Sequence, residues 1–400
     1  MAAQPLKSST DRSWPFWPAV PLYPYGRRRT LRREVVKDTV WTFDQCQGIF
    51  YVVVPIRMTV VRLDTGGLLV YAPVAPTQEC VGLMQELETA YGQVKYIILP
   101  TVSAVEHKVF VGPFARCFSA AQVYVVPNQW SFPLNLPLSW LGFPLGRTVF
   151  LPSDSTQTPF ADEFDYALLG PINLNLGPYA EVAFFHRRSQ TLLVTDAVMS
   201  IPHDPPAILQ VDPYPLLFHA RDQADEAIAD TPANRVKGWH RIVLFTFYFR
   251  PSVLEVVSLK QTLRAAFSAA ERSSKAYFGL YPFRWCSGWP ECFETLRGQR
   301  RLFVAPILQE LIFNRSAQAV LGWADAIAAW PFRQVITCHL DSPTAASPAE
   351  FRRAFEFLEK PRLLAAPGNG FLPEIDTAVI RQLDHRLNQS GLIPPAERQL

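Results

Sequence analysis

Between Val40 and Leu99 the order of local patterns leaves few folds open. Residues 50–54 and 58–63 are rich in β-branched side chains, and Asp64-Thr-Gly-Gly67 supplies the turn that leads into Leu68-Leu-Val-Tyr71, which predicts a meander of short antiparallel strands. Thr77 stands where a helix cap is needed. Val81, Met84, Leu87 and Tyr91 then recur at helical spacing, and Gly92 is placed to end the helix. Tyr96-Ile-Ile-Leu99 reads as a short buried strand stopped by Pro100, with residues 121–126 as the next strand. Meander, helix and buried strand in succession predict an α/β domain.

The loop after that strand reads Thr101-Val-Ser-Ala-Val-Glu-His107. Further on, Val182-Ala-Phe-Phe-His186, a short turn and Thr191-Leu-Leu-Val-Thr-Asp-Ala197 form a hairpin pattern. Later still, Gln334-Val-Ile-Thr-Cys-His-Leu-Asp-Ser-Pro343 reads as a closing strand, before Ser347-Pro-Ala-Glu350 opens a helix with a capping box and a proline at its first position. In this order the segments resemble the metallo-β-lactamase-like hydrolase superfamily, whose loop carries Thr-His-x-His-x-Asp-His. The resemblance puts Val102 and Ala104 where the first two histidines belong, and matches Glu106 and His107 to the Asp-His pair. Asp196 falls on the metal-bridging aspartate and His339 on the terminal histidine. Around Gly177-Pro-Tyr-Ala180, where the third histidine of the first ion belongs, there is none. The resemblance thus implies a four-layer αββα sandwich with an emptied first-ion shell beside a retained second one.

Four further runs, Trp41-Thr-Phe43, Val54-Pro-Ile-Arg-Met58, Glu106-His-Lys-Val-Phe-Val-Gly-Pro-Phe114 and Asn128-Gln-Trp-Ser-Phe132, resemble an uncharacterised domain-of-unknown-function family of cyanobacteria and plant plastids, grouped with the same fold. This likeness covers most of the chain from about Trp14. It implies a photosynthetic host and no established activity.

Glu106, His107, Asp196 and His339 are therefore the candidate metal ligands. A catalytic zinc takes three protein ligands and keeps a position for water, while two histidines with carboxylates also suit ferrous iron or manganese. A two-metal clamp needs ligands for both ions, and Val102, Ala104 and the Gly177 region offer no imidazole for the first. Glu at 106 in place of the family's Asp adds a methylene, which the loop must absorb. One reading is a degenerate site in a non-catalytic scaffold that binds a ligand or a membrane surface; the other is a single-metal hydrolase in which the ion activates water. In the scaffold reading Glu106 and His107 pair with each other or with Lys108. His186, beside Arg187 and Arg188 at a hairpin tip, reads as part of a solvated basic turn, and His203-Asp204 as a surface loop.

Residues 1–34 form a leader in which prolines alternate with aromatics from Trp14 to Tyr25, followed by Arg27, Arg28, Arg29, Arg32 and Arg33. Such an arm suits either an anionic membrane surface or the edge of its own domain. The remainder, 35–400, reads as the sandwich with an insertion at about 202–330, which contains the apolar run 241–250, a helix near 259–273 with Leu259, Leu263, Ala266, Phe267 and Ala270 on one face, and helical residues 306–330. The expectation for these helices is packing on the core, the alternative being a lid or a contact surface for a membrane or protein partner. A flexible loop at 366–370 precedes a last helix at about 373–388.

A net charge of +3 over 400 residues is too mild to expect a nucleic-acid partner. Six scattered cysteines form no CxxC pair and fit a reduced compartment. No apolar run approaches the roughly 20 residues of a membrane span, and prolines break up any signal-peptide core in the leader, so a cytoplasmic chain, peripheral at most, is expected.

Overall fold

The computed structural model describes residues 22–129, 136–359 and 372–397. Most of the leader, Trp130 and Phe132 of the family-like run, and the 366–370 loop lie outside the described residues.

The first sheet comprises β1 (Leu22–Tyr23), β2 (Leu31–Val36), β3 (Val40–Ile49), β4 (Val52–Arg62) and β5 (Leu68–Tyr71), then, after helix α1 (Gln78–Tyr91), β6 (Val94–Leu99). Helix α2 (Val105–Cys117) leads to β7 (Gln122–Val125) and β8 (Thr148–Phe150). β3, β4 and β5 pair antiparallel, β5 to β8 pair parallel, and β1 and β2 share the outer edge of β3. The second sheet, in spatial order, runs β15 (Thr344–Ala345), β14 (Gln334–Thr337), β11 (Thr191–Val194), β10 (Pro178–His186) and β9 (Phe164–Asn173), with β11 and β14 parallel.

Three apolar clusters define the layers. Trp41, Met58, Val70 and Ile97 of the first sheet pack against Val81 and Met84 of α1 and Val111 and Phe114 of α2. On the opposite face of that sheet, Val61, Leu69, Tyr71 and Ile98 meet Val182, Phe184, Leu193 and Ile336 of the second sheet. The far face of the second sheet, including Ala183, Phe185, Leu192 and Val335, packs on the later helices. Alternation along each strand sends neighbouring residues into different clusters. The result is the expected αββα sandwich.

Between β11 and β14 the chain makes α3 (Ala207–Val211), α4 (Tyr214–Ala220), α5 (Pro232–Tyr248), the hairpin of β12 (Leu254–Val256) and β13 (Phe283–Trp285) enclosing α6 (Leu259–Ser268), then α7 (Trp289–Arg297), α8 (Pro306–Leu311) and α9 (Ala317–Ala328). α10 (Pro348–Arg353) and α11 (Glu374–Gln389) complete the chain.

Several local expectations change. The two strands read at 50–54 and 58–63 are one, β4, in which Pro55 pairs with Cys46 of β3. On the other side β5 reaches only Thr59 to Arg62, so no neighbour requires the N–H that Pro55 lacks. Residues 105–107, read as the end of the loop, instead begin α2, which forms because Phe110, Val111, Phe114 and Ala115 bury one face. His186 is not in a solvated turn: it is buried at the end of β10, its ring 4.8 Å from that of Phe164, while Arg187 and Arg188 pair with Asp165 and Asp64. The expected packing of α6 also fails, because Leu259, Leu263 and Phe267 face solvent. Of the leader's arginines in the described fold, Arg27 is exposed, Arg33 donates to Ser342 O, and the other three are engaged within it. Arg29 and Arg32 pair with Glu79 and Glu86, and Arg28 lies buried over the Phe110 ring.

Candidate metal centre

Three segments, one helix start and two strand ends, meet at one end of the sandwich. Thr101 Oγ1 accepts the backbone N–H groups of Ser103 and Ala104 at 3.1 and 3.4 Å, which shapes the turn into α2 and puts Glu106 and His107 in its first helical turn. Asp196 lies two residues beyond β11, and His339 two residues beyond β14. The two sheets are stitched together here by the bridges Thr101–Glu181 and Ile56–His339, and by Val182 N donating to Pro100 O at 2.8 Å.

His339 Nε2 lies 3.3 Å from Glu106 Oε1 and 3.1 Å from Asp196 Oδ1. One donor atom from each of Glu106, His107 and His339 falls within 4.8 Å of the other two; Asp196 sits outside that trio, against His339. Both imidazoles are oriented in the same way. His107 Nδ1 donates to Pro73 O at 3.2 Å and His339 Nδ1 to Pro55 O at 3.0 Å, since a carbonyl can only accept. Each ring therefore directs Nε2 inward. His107 Nε2 is buried and has no hydrogen-bond partner among the described residues.

Charge in the cluster follows from the packing. Burial works against a charged His339, but the hydrogen bonds and charges of Asp196 and Glu106 outweigh it and raise its pKa to about 10. Burial likewise pushes the Glu106 carboxyl up, and the bond and charge of His339 pull it down to about 2. His107 is shifted the other way, its pKa lowered by burial, which keeps its ring neutral with a free Nε2 lone pair.

Two residues that motif reasoning passed over hold this arrangement. Glu181 is fully buried in β10; its Oε1 accepts Thr195 N at 2.7 Å, and its Oε2 accepts Asp196 N at 3.1 Å, Ala197 N at 3.0 Å and Tyr179 Oη at 2.8 Å. It fixes the backbone that carries Asp196. Burial, with the Asp196 charge, raises its pKa to about 7 against the pull of those donors. Arg57 does the same for His339. Its guanidinium donates to Thr337 O at 2.9 Å and Leu340 O at 3.1 Å, and its Nε pairs with Asp44 at 2.7 Å. A buried charged residue within a strand pattern was the signal available for each.

The remaining candidates are accounted for by their contacts. Val102 and Ala104, at the emptied histidine positions, are buried, and Val102 joins the core between the sheets. Lys108 donates to Gln129 O at 2.8 Å and does not reach Glu106 in a salt bridge among the described residues. His203 and Asp204 pair with each other at the surface, and Cys338 is buried in the intersheet core.

Glu106 also reaches a cavity of about 930 Å³ between β3, β4 and the insertion. Ile49, Phe50, Val54, Phe245 and Phe249 are among its walls, and among the described residues the polar side chains lining it are Gln47, Glu106, Thr246 and Tyr277. The Tyr277 hydroxyl is engaged by that of Tyr25.

A family model described as Domain of unknown function (DUF4336) matches residues 37–357. The chain belongs to this family. No curated protein matches the sequence. Among solved structures, a metallo-beta-lactamase from Pontibacter korlensis is 12% identical with a TM-score of 0.33, over 44% of this chain and 76% of that one. The metal-soaked Flv1 flavodiiron core from Synechocystis sp. PCC6803 is 11% identical with a TM-score of 0.40, over 83% of this chain and 61% of that one. A mutant flavo di-iron protein from Thermotoga maritima is 7% identical with a TM-score of 0.40, over 82% and 61%.

Proposed function

We propose that this DUF4336 chain holds one divalent metal on Glu106, His107 and His339, at the foot of the apolar cavity, and that the centre binds an amphiphilic ligand whose polar head reaches the ion. The supporting observation is His107 Nε2, a buried imidazole lone pair with no partner, held in place by the Nδ1–H bond to Pro73. An unpaired buried polar atom is costly, and an imidazole whose other nitrogen donates to a carbonyl is the usual posture of a metal-ligating histidine. Two nitrogens and a carboxylate suit zinc, ferrous iron or manganese. Such an ion, when bound, polarises an oxygen of the ligand and lowers the pKa of a bound water, the chemistry of a one-metal hydrolase.

The protein's own groups then have distinct parts. Pro73 and Pro55 carbonyls set the ring orientations, Glu181 fixes the Asp196 backbone, and Arg57 fixes the approach to His339. The apolar walls exclude water from a ligand's hydrocarbon body, and their volume fits a small-molecule site. A second reading, a metal-free scaffold, is favoured by one observation: His339 Nε2 already lies within hydrogen-bonding reach of both Glu106 and Asp196, which an Nε2–H would bridge.

Metal analysis separates the two. Protein refolded or expressed with zinc, iron or manganese supplied in turn should retain about one ion per chain, and His107→Ala or His339→Ala should lower occupancy at least about tenfold while the protein stays folded. A folded wild type that keeps no metal under any of these conditions sinks the metal reading.

A further inference from the structure

The insertion carries a second feature that the metal centre does not use. Helix α6 is held by a capping box in which the Ser258 side chain takes the Gln261 N–H and the Gln261 side chain takes the Ser258 N–H. The side chain this helix buries is Thr262, whose hydroxyl bonds back to Ser258 O. Its apolar stripe points outward instead: Leu259 is 73% exposed, Leu263 48% and Phe267 77%. Positions i, i+4 and i+8 fall on one face. Exposed Lys260 and Arg264 follow the first two of these residues directly, so a cationic row borders the stripe.

The apolar surface continues beyond the helix. The α6 C-terminus packs against residues 274–279, where Gly279 lies so close that a side chain there would meet Ala266 and Ala269. That turn exposes Phe278 (67%) and turns Tyr277 into the cavity wall, next to the half-exposed ring of Phe50. Charge is concentrated on the same segment. Arg250, Lys260, Arg264, Arg272 and Lys275 face Glu255 and Glu271 in residues 250–275, five cations to two carboxylates, an excess equal to the +3 of the whole chain. Glu255 is moreover paired with Arg284.

We infer that α6 and the Phe278 turn form a docking surface for an anionic lipid bilayer, with the stripe seated in the headgroup region and the flanking cations on acidic headgroups. An amphipathic helix with large apolar residues outward and cations at the border has the composition of an interfacial helix, and each clustered Lys or Arg strengthens binding to an acidic surface about fivefold. A soluble partner's groove would have no need of the cationic border, whereas a bilayer of acidic lipid uses both. Docking this way brings the cavity wall at Phe50 and Tyr277 to the membrane. The inference stands whether or not Glu106, His107 and His339 hold an ion.

Co-sedimentation of the full-length protein with vesicles tests it. Phosphatidylcholine vesicles containing about one third phosphatidylglycerol should pellet the wild type, and pure phosphatidylcholine vesicles should pellet it much less. Lys260→Glu with Arg264→Glu should weaken binding at least about tenfold, and Leu263→Ala with Phe267→Ala about a hundredfold. All four side chains are exposed, and an unchanged thermal midpoint verifies folding. Equal binding to both vesicle types, or binding that ignores both double variants, overturns the inference. So does a wild-type dimer, in gel filtration without lipid, that the Leu263 and Phe267 variant converts to monomer, because the stripe would then be a contact between copies of the chain.

Discussion

At the scale of single residues, the candidate centre depends on side chains that ligate nothing. Glu181 collects three backbone N–H groups and a phenol on two carboxylate oxygens, with donors on both sides. In Glu181→Gln one of those oxygens becomes an NH₂, and either orientation of the amide turns that group toward an N–H. The variant loses at least one charge-assisted bond and leaves a buried donor without an acceptor, a cost of about 2–3 kcal/mol. A lower thermal midpoint should appear together with a metal affinity reduced roughly 10- to 100-fold. A Glu181→Gln protein with wild-type stability and wild-type metal content would show that the Asp196 loop holds itself. Glu106 and His107 could be found from their place in a motif, and Asp196 and His339 from strand ends. Glu181 and Arg57 showed only as charged residues within apolar strand patterns, because most of their partners are backbone atoms more than a dozen residues away that carry no sequence signature.

At the scale of elements, packing distance sets what each helix tolerates. Gly238 on α5 faces α4 so closely that a Cβ there would sit 1.8 Å from Leu216 O. Gly238→Ala must push two packed helices apart, and a stability loss of at least about 3 kcal/mol follows. Gly82 on α1 has open space around its Cβ position, so Gly82→Ala should instead add roughly 0.5–1 kcal/mol through helix propensity. Denaturant titration of both variants checks the pair; equal effects would contradict the contact. Elements whose signals are local were legible before folding: α1 runs from its Thr77 cap to Gly92, and α10 opens on the Ser347–Glu350 box. The β10–β11 hairpin, too, was visible from its turn and flanking apolar runs. Elements decided by tertiary contact were not. The apolar run at 241–250 is the second half of α5, buried almost all round, and periodicity is silent where every face is covered. α6 misled for the opposite reason, since amphipathicity reports that a helix has an apolar face but not whether the protein itself covers it.

For the whole molecule, buried histidines set the response to acid. Besides His107 at the centre, three of the seven histidines are held neutral: burial lowers His186 and His240 to about 4 and His219 to about 3, against an ordinary 6.5. The unfolded chain protonates these rings near 6.5 and the folded chain does not, so it binds more protons in that interval and stability rises with pH there. Acidification from 6.5 toward 4 therefore removes stability, roughly 3 kcal/mol for each ring at the limit. His339 adds no slope in this window. Its folded pKa is raised to about 10, so its contribution is complete below 6.5 and is lost only on the alkaline side. Glu106, lowered to about 2 from 4.5, loses its contribution only below about 4.5. Glu181, raised to about 7 from 4.5, opposes the histidines here, because the folded chain keeps its proton where the unfolded chain gives it up. The limb between 6.5 and 4.5 is the net of the two, and three such rings, together comparable to the 5–15 kcal/mol that holds a typical domain together, outweigh one carboxyl. His240→Phe tests the assignment. The ring of His240 stacks on Phe293 at 3.6 Å, and phenylalanine keeps that contact while giving up one hydrogen bond to His203 O. The variant should lose stability relative to wild type at pH 7 and regain part of it by pH 5, so that the two thermal midpoints converge on acidification. Midpoints that stay parallel from pH 7 to pH 5 would mean that folding leaves the titration of His240 unchanged, against the burial argument.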